Sequence, residues 1–243
     1  MAGNNNPVVK EIRAALERES RVNPHRNPIN ITFEGGAVIL EGEVESIIAK
    51  KMALHVTAAV RGVEGIVDRL RLAQAEPMED GAIRDHVCDS FMQDLALREY
   101  TVRTLVKEAW EVRRDVSRAG GVLEVEVTGG VVILNGRAGS ISHKRLAGVL
   151  AWWVPGVRDV INSLELDPPM ADNDYELADA VLLVLGKDPF VDASHIRVGC
   201  KDYVVTLDGI VKRPRERDMA EADAWYVFQV NNVVNRIQVV EGG

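Results

Sequence analysis

The chain has 243 residues, of which 47% are hydrophobic and 27% charged, with a formal net charge of −8. This length admits one large domain or two to three small ones, at roughly 100–200 residues per domain, and the composition is that of a globular protein. The acidic balance argues against a nucleic-acid binder that works by neutralising phosphates, and the longest Val/Leu run, "VLLVL" (181–185), is far short of the ~20 residues that span a bilayer.

In chain order, Val8, Ile12 and Leu16 recur at helical spacing behind Pro7, which suits a first helical turn. "INITFEGGAVILEGEV" (29–44) then alternates, with Ile29, Ile31 and Phe33 on one side and Val38, Leu40, Gly42 and Val44 following Gly35-Gly36. That glycine pair supplies the positive φ of a tight hairpin. Ser46 fits an N-cap, Ala53, Val56/Thr57 and Val60 form the stripe of a second helix, and Ile66, Leu70 and Leu72 mark a last strand. The order helix–strand–strand–helix–strand, with Asn30, Thr32, Glu41 and Glu43 facing outward, predicts an α+β fold. Its unit is a two-layer αββαβ module, a small mixed three-stranded sheet with two helices on one face.

Residues 74–101 hold two arginines against seven carboxylates, and an acidic helical connector is expected over 74–94. No Pro or Gly falls between Gly81 and Gly120. The series Ile83, Val87, Phe91, Leu95 therefore predicts an extra connecting helix over 80–114, with a break near 95–99. It would enter a second module through the stripe Val102, Val106, Trp110 and offer a surface for a homo-oligomer.

The second module is visible as a repeat. "AVILEGEVES" (37–46) returns as "VVILNGRAGS" (131–140), 94 positions on, and "VVTLDGIVKR" (204–213) follows 73 later. The 94-residue offset pairs Val8 with Val102 and Leu70 with Leu164. Gly42 is followed by Gly62, Gly136 by Gly156 and Gly209 by Gln229, each 20 residues on. This register predicts three tandem copies at 7–73, 95–167 and 173–240. Each is small enough for a lone core to be marginal, so neighbours are expected to cover apolar surface such as Ile39, Val131 and Ile133.

The recurring residues read as architecture. Gly42, Gly136 and Gly209 fall on the inward parity of a strand, where a closely crossing helix would exclude a Cβ. Gly62 and Gly156 suit left-handed ends of the second helix, and Gln229 predicts a different ending in copy three. Gly129-Gly130 repeats the hairpin turn, whereas Asp202-Tyr203 predicts a looser one. Asp68, Asn162 and Asn235, in phase with buried leucines, are expected to bond local backbone.

"DPFVDASHIRVGCKDYVVTLDGIVKR" with "VNNVVNRIQV", "ILEGEVES…GVEGIVDRLRL" and "ILNGRAGS…GVRDVINSLEL" together resemble the BON domain family, named for bacterial osmotic-stress and nodulation proteins. The resemblance implies the αββαβ fold and a non-catalytic role with no invariant catalytic residue. Most members are exported envelope proteins linked to phospholipid binding or osmotic stress, and a few cytoplasmic relatives are associated with potassium. The start "MAGNNNPVVKEIRAALERES" does not look like a secretory signal, so a soluble cytoplasmic protein is expected, or a periplasmic one if a signal was removed. That start, and the lack of a peptidoglycan-binding domain, depart from the envelope members.

Chemistry-bearing patterns are sparse. The chain holds no GxGxxG, Walker loop or HExxH; its five histidines are dispersed, and Cys88 and Cys200 read as reduced thiols. No enzyme, cofactor or metal is expected. Two features stand out. "AWWVPG" and "AWYVFQ" put aromatics at matching places, Trp152 and Trp153 in copy two and Trp225 and Tyr226 in copy three. On helical geometry Trp152 and Trp225 would be partly exposed, suited to a bilayer interface or a partner; packing between copies is the alternative. Lys212, Arg213 and Arg215 in "KRPRERD" could meet anionic headgroups or form a solvated turn. The sequence thus points to a non-enzymatic scaffold binding a phospholipid surface or a protein partner, with a cytoplasmic sensor of potassium or another small ligand as the second reading.

Overall fold

The computed structural model describes residues 6–74, 76–117 and 120–240, and they fall into two compact units that divide after Gln74. In the first unit, helix α1 (Pro7–Arg18) is capped by the Asn6 side chain. Strands β1 (Ile29–Glu34) and β2 (Ala37–Val44) form a hairpin, helix α2 (Ile47–Ala58) is capped by Ser46, and strand β3 (Gly65–Leu72) pairs parallel to β2. Val9, Ile12 and Leu16 of α1 meet Val38, Leu40 and Leu70 of the sheet with essentially no exposure, while Glu41 and Glu43 point to water. Alternation in the strands and heptad-like spacing in the helices therefore bury one face of each.

The second unit holds two more modules. Its elements are α3 (Asp80–Gln93), a single 3-10 turn, β4 (Tyr100–Val106), β5 (Ala109–Arg114), β6 (Gly121–Thr128), β7 (Val131–Ala138), α4 (Ile141–Trp152), β8 (Asp159–Asn162) and β9 (Glu165–Leu166). There follow α5 (Asp174–Leu185), β10 (Ile196–Lys201), β11 (Val204–Val211), α6 (Pro214–Tyr226) and β12 (Asn232–Val239). The last module repeats the β1–β2–β3 order as β10–β11–β12, antiparallel then parallel. The middle sheet is larger than the expected three strands: its order is β5-β4-β6-β7-β8, with β9 also on β7.

A helix does stand between the first and second copies, but it ends well short of 114. Helix α3 stops at Gln93, and the residues expected to continue it, Val102, Val106 and Trp110, lie on a β-hairpin. Thr101, Val102, Thr104 and Val106 explain the switch, since β-branched side chains fit a pleated sheet better than a helix. The turn is made by Lys107 and Glu108 at φ of 46° and 68°, without the glycine that would have signalled it. Helix α3 also takes the place of a first helix in the middle module. The carboxylate of its first residue, Asp80, accepts the backbone N–H groups of Gly129 and Gly130, both at 2.8 Å. The first residue of α5, Asp174, does the same for Asp202 and Tyr203, both at 2.9 Å. Donor and acceptor are 49 positions apart in one case and 28 in the other, so the hairpin is an insertion between helix and sheet.

The Asp174 clamp also corrects the expectation of a loose third hairpin. Asp202 and Tyr203 adopt φ of 52° and 60°, and β10 pairs with β11 in unbroken register from Ile196↔Gly209 to Lys201↔Val204. Two charge-assisted hydrogen bonds offset the cost of a left-handed turn without glycine.

Gly42, Gly136 and Gly209 have φ of 148°, 105° and 149°. The neighbour that leaves no room is not a crossing helix. A Cβ would collide with the carbonyl oxygens of Pro28, Val122 and His195, at the start of the antiparallel neighbouring strand. Gly62 and Gly156 take φ of 95° and 84° just beyond α2 and α4. Gln229 takes φ of 70° at the matching place, so copy three makes the same left-handed turn despite its side chain, although α6 runs to 13 residues against 12 for the other two.

Within the second unit α4 packs on both α5 and α6. The middle and last modules therefore dock helix layer to helix layer, and the uncovered faces of their sheets point away from the seam. Ala substitutions separate the roles of two glycines of one sheet. Gly209→Ala should lose about 1–3 kcal/mol of stability in urea unfolding. Gly199→Ala, where an added Cβ meets nothing within 4 Å, should be neutral or slightly stabilising.

Candidate interaction site

Three of the four aromatics singled out in the sequence, Trp152, Trp153 and Tyr226, reach this seam. Trp225 is fully buried, contrary to the partial exposure expected of it, because the stripe of α6 that faces the core carries Ala220, Ala224 and Trp225. Trp152 stands half-buried, its ring tilted 36° against Tyr226 at 5.8 Å between centroids. Trp153 Nε1 donates to Asp223 Oδ1 at 3.2 Å. Lys212, Arg213 and Arg215 are exposed at the opposite end of α6 from Trp225 and Tyr226, about 18 Å along a helix of this length. Aromatic and basic groups therefore do not form one surface.

Sequence reasoning missed the polar partners of the seam. Arg145, at the middle of α4, is 1% exposed. Its guanidinium donates to Asp172 Oδ2 at 2.6 Å, to Gln229 Oε1 at 3.0 Å and to the Phe228 carbonyl at 3.3 Å. Gln229 is thus held in its left-handed conformation by the buried charge. Lys187 and Asp94 make a second ion pair across the seam at 2.9 Å. An arginine within an apolar stripe gave no signal, because its partners lie 27 and 84 positions away.

Beside the seam is a cleft of about 360 Å³ with Trp153, Phe190, Met219 and Tyr226 in its walls and Asp188 and Asp223 at its base. Both carboxyls are buried. Burial, and then the neighbouring Asp188 carboxyl, push Asp223 up to about 8. Its Oδ2 has no other hydrogen-bond donor among the described residues, so a proton shared with Asp188 is what makes that contact attractive. A second cleft, also about 360 Å³, lies by the start of α4. There the Tyr100 hydroxyl accepts the Gly139 N–H at 2.9 Å and stands 2.9 Å from His143 Nδ1. Burial lowers the His143 pKa, which favours the neutral imidazole beside the Tyr100 hydroxyl.

The recurring Asp68, Asn162 and Asn235 are consumed locally. Each accepts the N–H two residues on, at 2.9, 3.3 and 3.1 Å. Asn162 and Asn235 also donate to the carbonyls of Lys144 and Arg217 on the second helix. In the first module Asp68 does this through charge, pairing with Lys50 Nζ at 3.0 Å. The thiols are held protonated: burial pushes Cys88 up to about 11, and burial with the Asp174 contact pushes Cys200 up to about 12. Among the described residues, no three His, Cys, Asp or Glu side chains are grouped so as to hold a metal ion. Nor is any helix long and apolar enough to cross a membrane.

The family model described as BON domain matches three times, over residues 4–74, 100–168 and 173–241. The chain belongs to the BON domain family. The matches take in all three sheets, and the second BON match begins at Tyr100, downstream of α3. No curated protein matches. Among solved structures, similarity is found to the C-terminal domain of CdsD, a structural protein of the type III secretion system of Chlamydia trachomatis. It runs at 12% identity over 96% of this chain and 98% of that one, with a TM-score of 0.25. A second structure of CdsD gives 13% identity over 97% and 93%, also with a TM-score of 0.25.

Two outcomes check the seam. Arg145→Met, which leaves Asp172 without its counter-charge, should cost about 3–5 kcal/mol in chemical unfolding of the second unit. For Asp223, the raised pKa in the fold means that the folded state keeps a proton the unfolded chain has released. Its contribution is complete below about 4 and is lost as pH climbs to about 8. Stability should therefore fall by up to about 1.4 kcal/mol per pH unit over that window. Asp223→Asn, which keeps the Trp153 bond and can donate to Asp188, should flatten the slope in denaturation midpoints taken between pH 5 and 8.

Proposed function

We propose that the chain is a non-enzymatic scaffold that presents the uncovered sheet faces of its BON modules to a protein partner. The observation that carries the reading is a pair of side chains that recurs on the face opposite the helices. Ile39 stands beside Val67, Ile133 beside Ile161 and Thr206 beside Val234, each across two parallel strands. Val67 and Ile161 are each 43% exposed, on faces otherwise lined by Glu41, Glu43, Glu124 and Glu126. Small apolar centres rimmed by charge fit a protein partner.

A phospholipid surface is the weaker fit. It needs aromatic and basic groups together at one level, and here Trp225 is buried in the core and Trp153 and Tyr226 are committed to the seam while Lys212, Arg213 and Arg215 stand apart from them. Linkage to envelope maintenance or osmotic stress rests on family membership and adds no residue to the site.

A photo-crosslinking residue placed at Val67 or Ile161, with Asp179 on the exposed side of α5 as control, tests the proposal in the native cell. Discrete adducts from the two sheet positions and none from position 179 are expected. Adducts from all three alike would overturn the proposal. So would pelleting with anionic phospholipid vesicles that is abolished when Lys212, Arg213 and Arg215 are each changed to Glu.

A further inference from the structure

The cleft beside the seam sets two acids at the foot of an apolar wall. Asp188 follows α5 and Asp223 lies on α6, and they are 8% and 5% exposed. Each has one oxygen occupied. Trp153 Nε1 donates to Asp223 Oδ1 at 3.2 Å, and the Phe190 N–H donates to Asp188 Oδ1 at 2.8 Å. Asp223 Oδ2 is buried and meets no donor among the described residues. Lys187, the neighbour of Asp188 in sequence, is drawn away to Asp94, and the described residues that line the cleft include no lysine, arginine or histidine. Two buried carboxyls are thus left without a counter-charge in their own cleft, which is costly. Above them stand Trp153, Phe190, Met219 and Tyr226. Trp153 is fixed by its bond to Asp223 and Tyr226 by its ring contact with Trp152, so these two rings are set before anything enters. Phe190, 71% exposed, stands at the open rim.

We infer that this cleft binds a small organic ammonium ion, its charged head on the Asp188–Asp223 pair and its carbon skeleton against the rings. The lining chooses the ligand class. An anion finds no basic side chain there. A divalent metal ion takes about six oxygen ligands, and among the described residues no third His, Cys, Asp or Glu joins the two acids. A bare monovalent ion would leave the aromatic wall unused, and an uncharged apolar molecule would leave the carboxyls unmet. An organic ammonium uses both halves of the site. Its charge is attracted to carboxylates and, within about 6 Å, to the faces of aromatic rings, while its carbon atoms bury against Met219 and the rings. The volume of about 360 Å³ lies at the lower end of the ~300–1,000 Å³ typical of small-molecule sites, which suits an amine with one ring or a short chain. This inference does not depend on the open-face reading, because the cleft lies on the helical side of the modules.

Isothermal titration calorimetry of the full chain with phenethylammonium chloride tests it, with 2-phenylethanol as the uncharged analogue and potassium chloride as the bare cation. The amine should bind saturably and about tenfold or more tighter than either control. Asp223→Asn keeps the Trp153 bond while removing the carboxylate, and should weaken amine binding about tenfold. Phe190→Ala removes an exposed ring and should weaken it about threefold, with thermal unfolding of each variant confirming that the fold persists. A native chain that takes up no amine overturns the inference. So does uptake matched by 2-phenylethanol or by potassium chloride, or uptake unchanged in either variant.

Discussion

A single buried cation organises the larger unit. Arg145 stands at 1% exposure between two modules that could otherwise each close on their own core, and a guanidinium taken out of water is costly unless its donors are met. Nε and Nη2 are met by Asp172 in the link before α5 and by the turn at Phe228 and Gln229 beyond α6, while Nη1 is buried without an acceptor among the described residues. The two modules must therefore sit in the one orientation that brings all three acceptors to one point. A merely apolar seam would tolerate sliding, because hydrophobic burial is non-directional. The Trp153–Asp223 and Lys187–Asp94 contacts add two further points of register, and three separated points fix a rigid orientation.

That constraint explains a local oddity. Gln229 occupies a left-handed conformation that glycine fills in the other two copies. A side chain there costs about 1–2 kcal/mol, which a hydrogen bond to a buried charge can offset. The position is backbone-driven where glycine stands and contact-driven where glutamine stands. One turn geometry thus arises from two different physical causes.

Much of the fold was legible from sequence because it is written in periodicity. Strand alternation, the Ser46 cap and the thrice-repeated glycine on the second strand all fall where spacing placed them. What was misread depends on contacts between distant residues. Val102, Val106 and Trp110 fit a helical stripe as well as they fit two strands, and the pairing of β4 with β5 and β6, which the β-branched residues favour, decides for strands. Asp80 could not be recognised as the opening residue of a module, because its partners are glycines 49 and 50 positions away. The aromatics were visible, but whether they faced water or another module turned on Asp223 and Arg145, which read in sequence as ordinary charges on helices. The polar pairs at the seam were invisible for the same reason.

Docking through helices has a consequence for where the protein can bind. A module with both helices on one side of its sheet has two surfaces to offer, and the seam between α4, α5 and α6 consumes the helical one. The uncovered sheet faces and strand edges are what the second unit has left. The inserted hairpin enlarges that remainder, adding strands β4 and β5 to the face on which Ile133 and Ile161 already stand. Leu105 pairs with Trp110 across the hairpin, so the apolar character of that face continues outward to its rim. Insertion and seam act in the same direction, one closing the helical side and the other extending the open side.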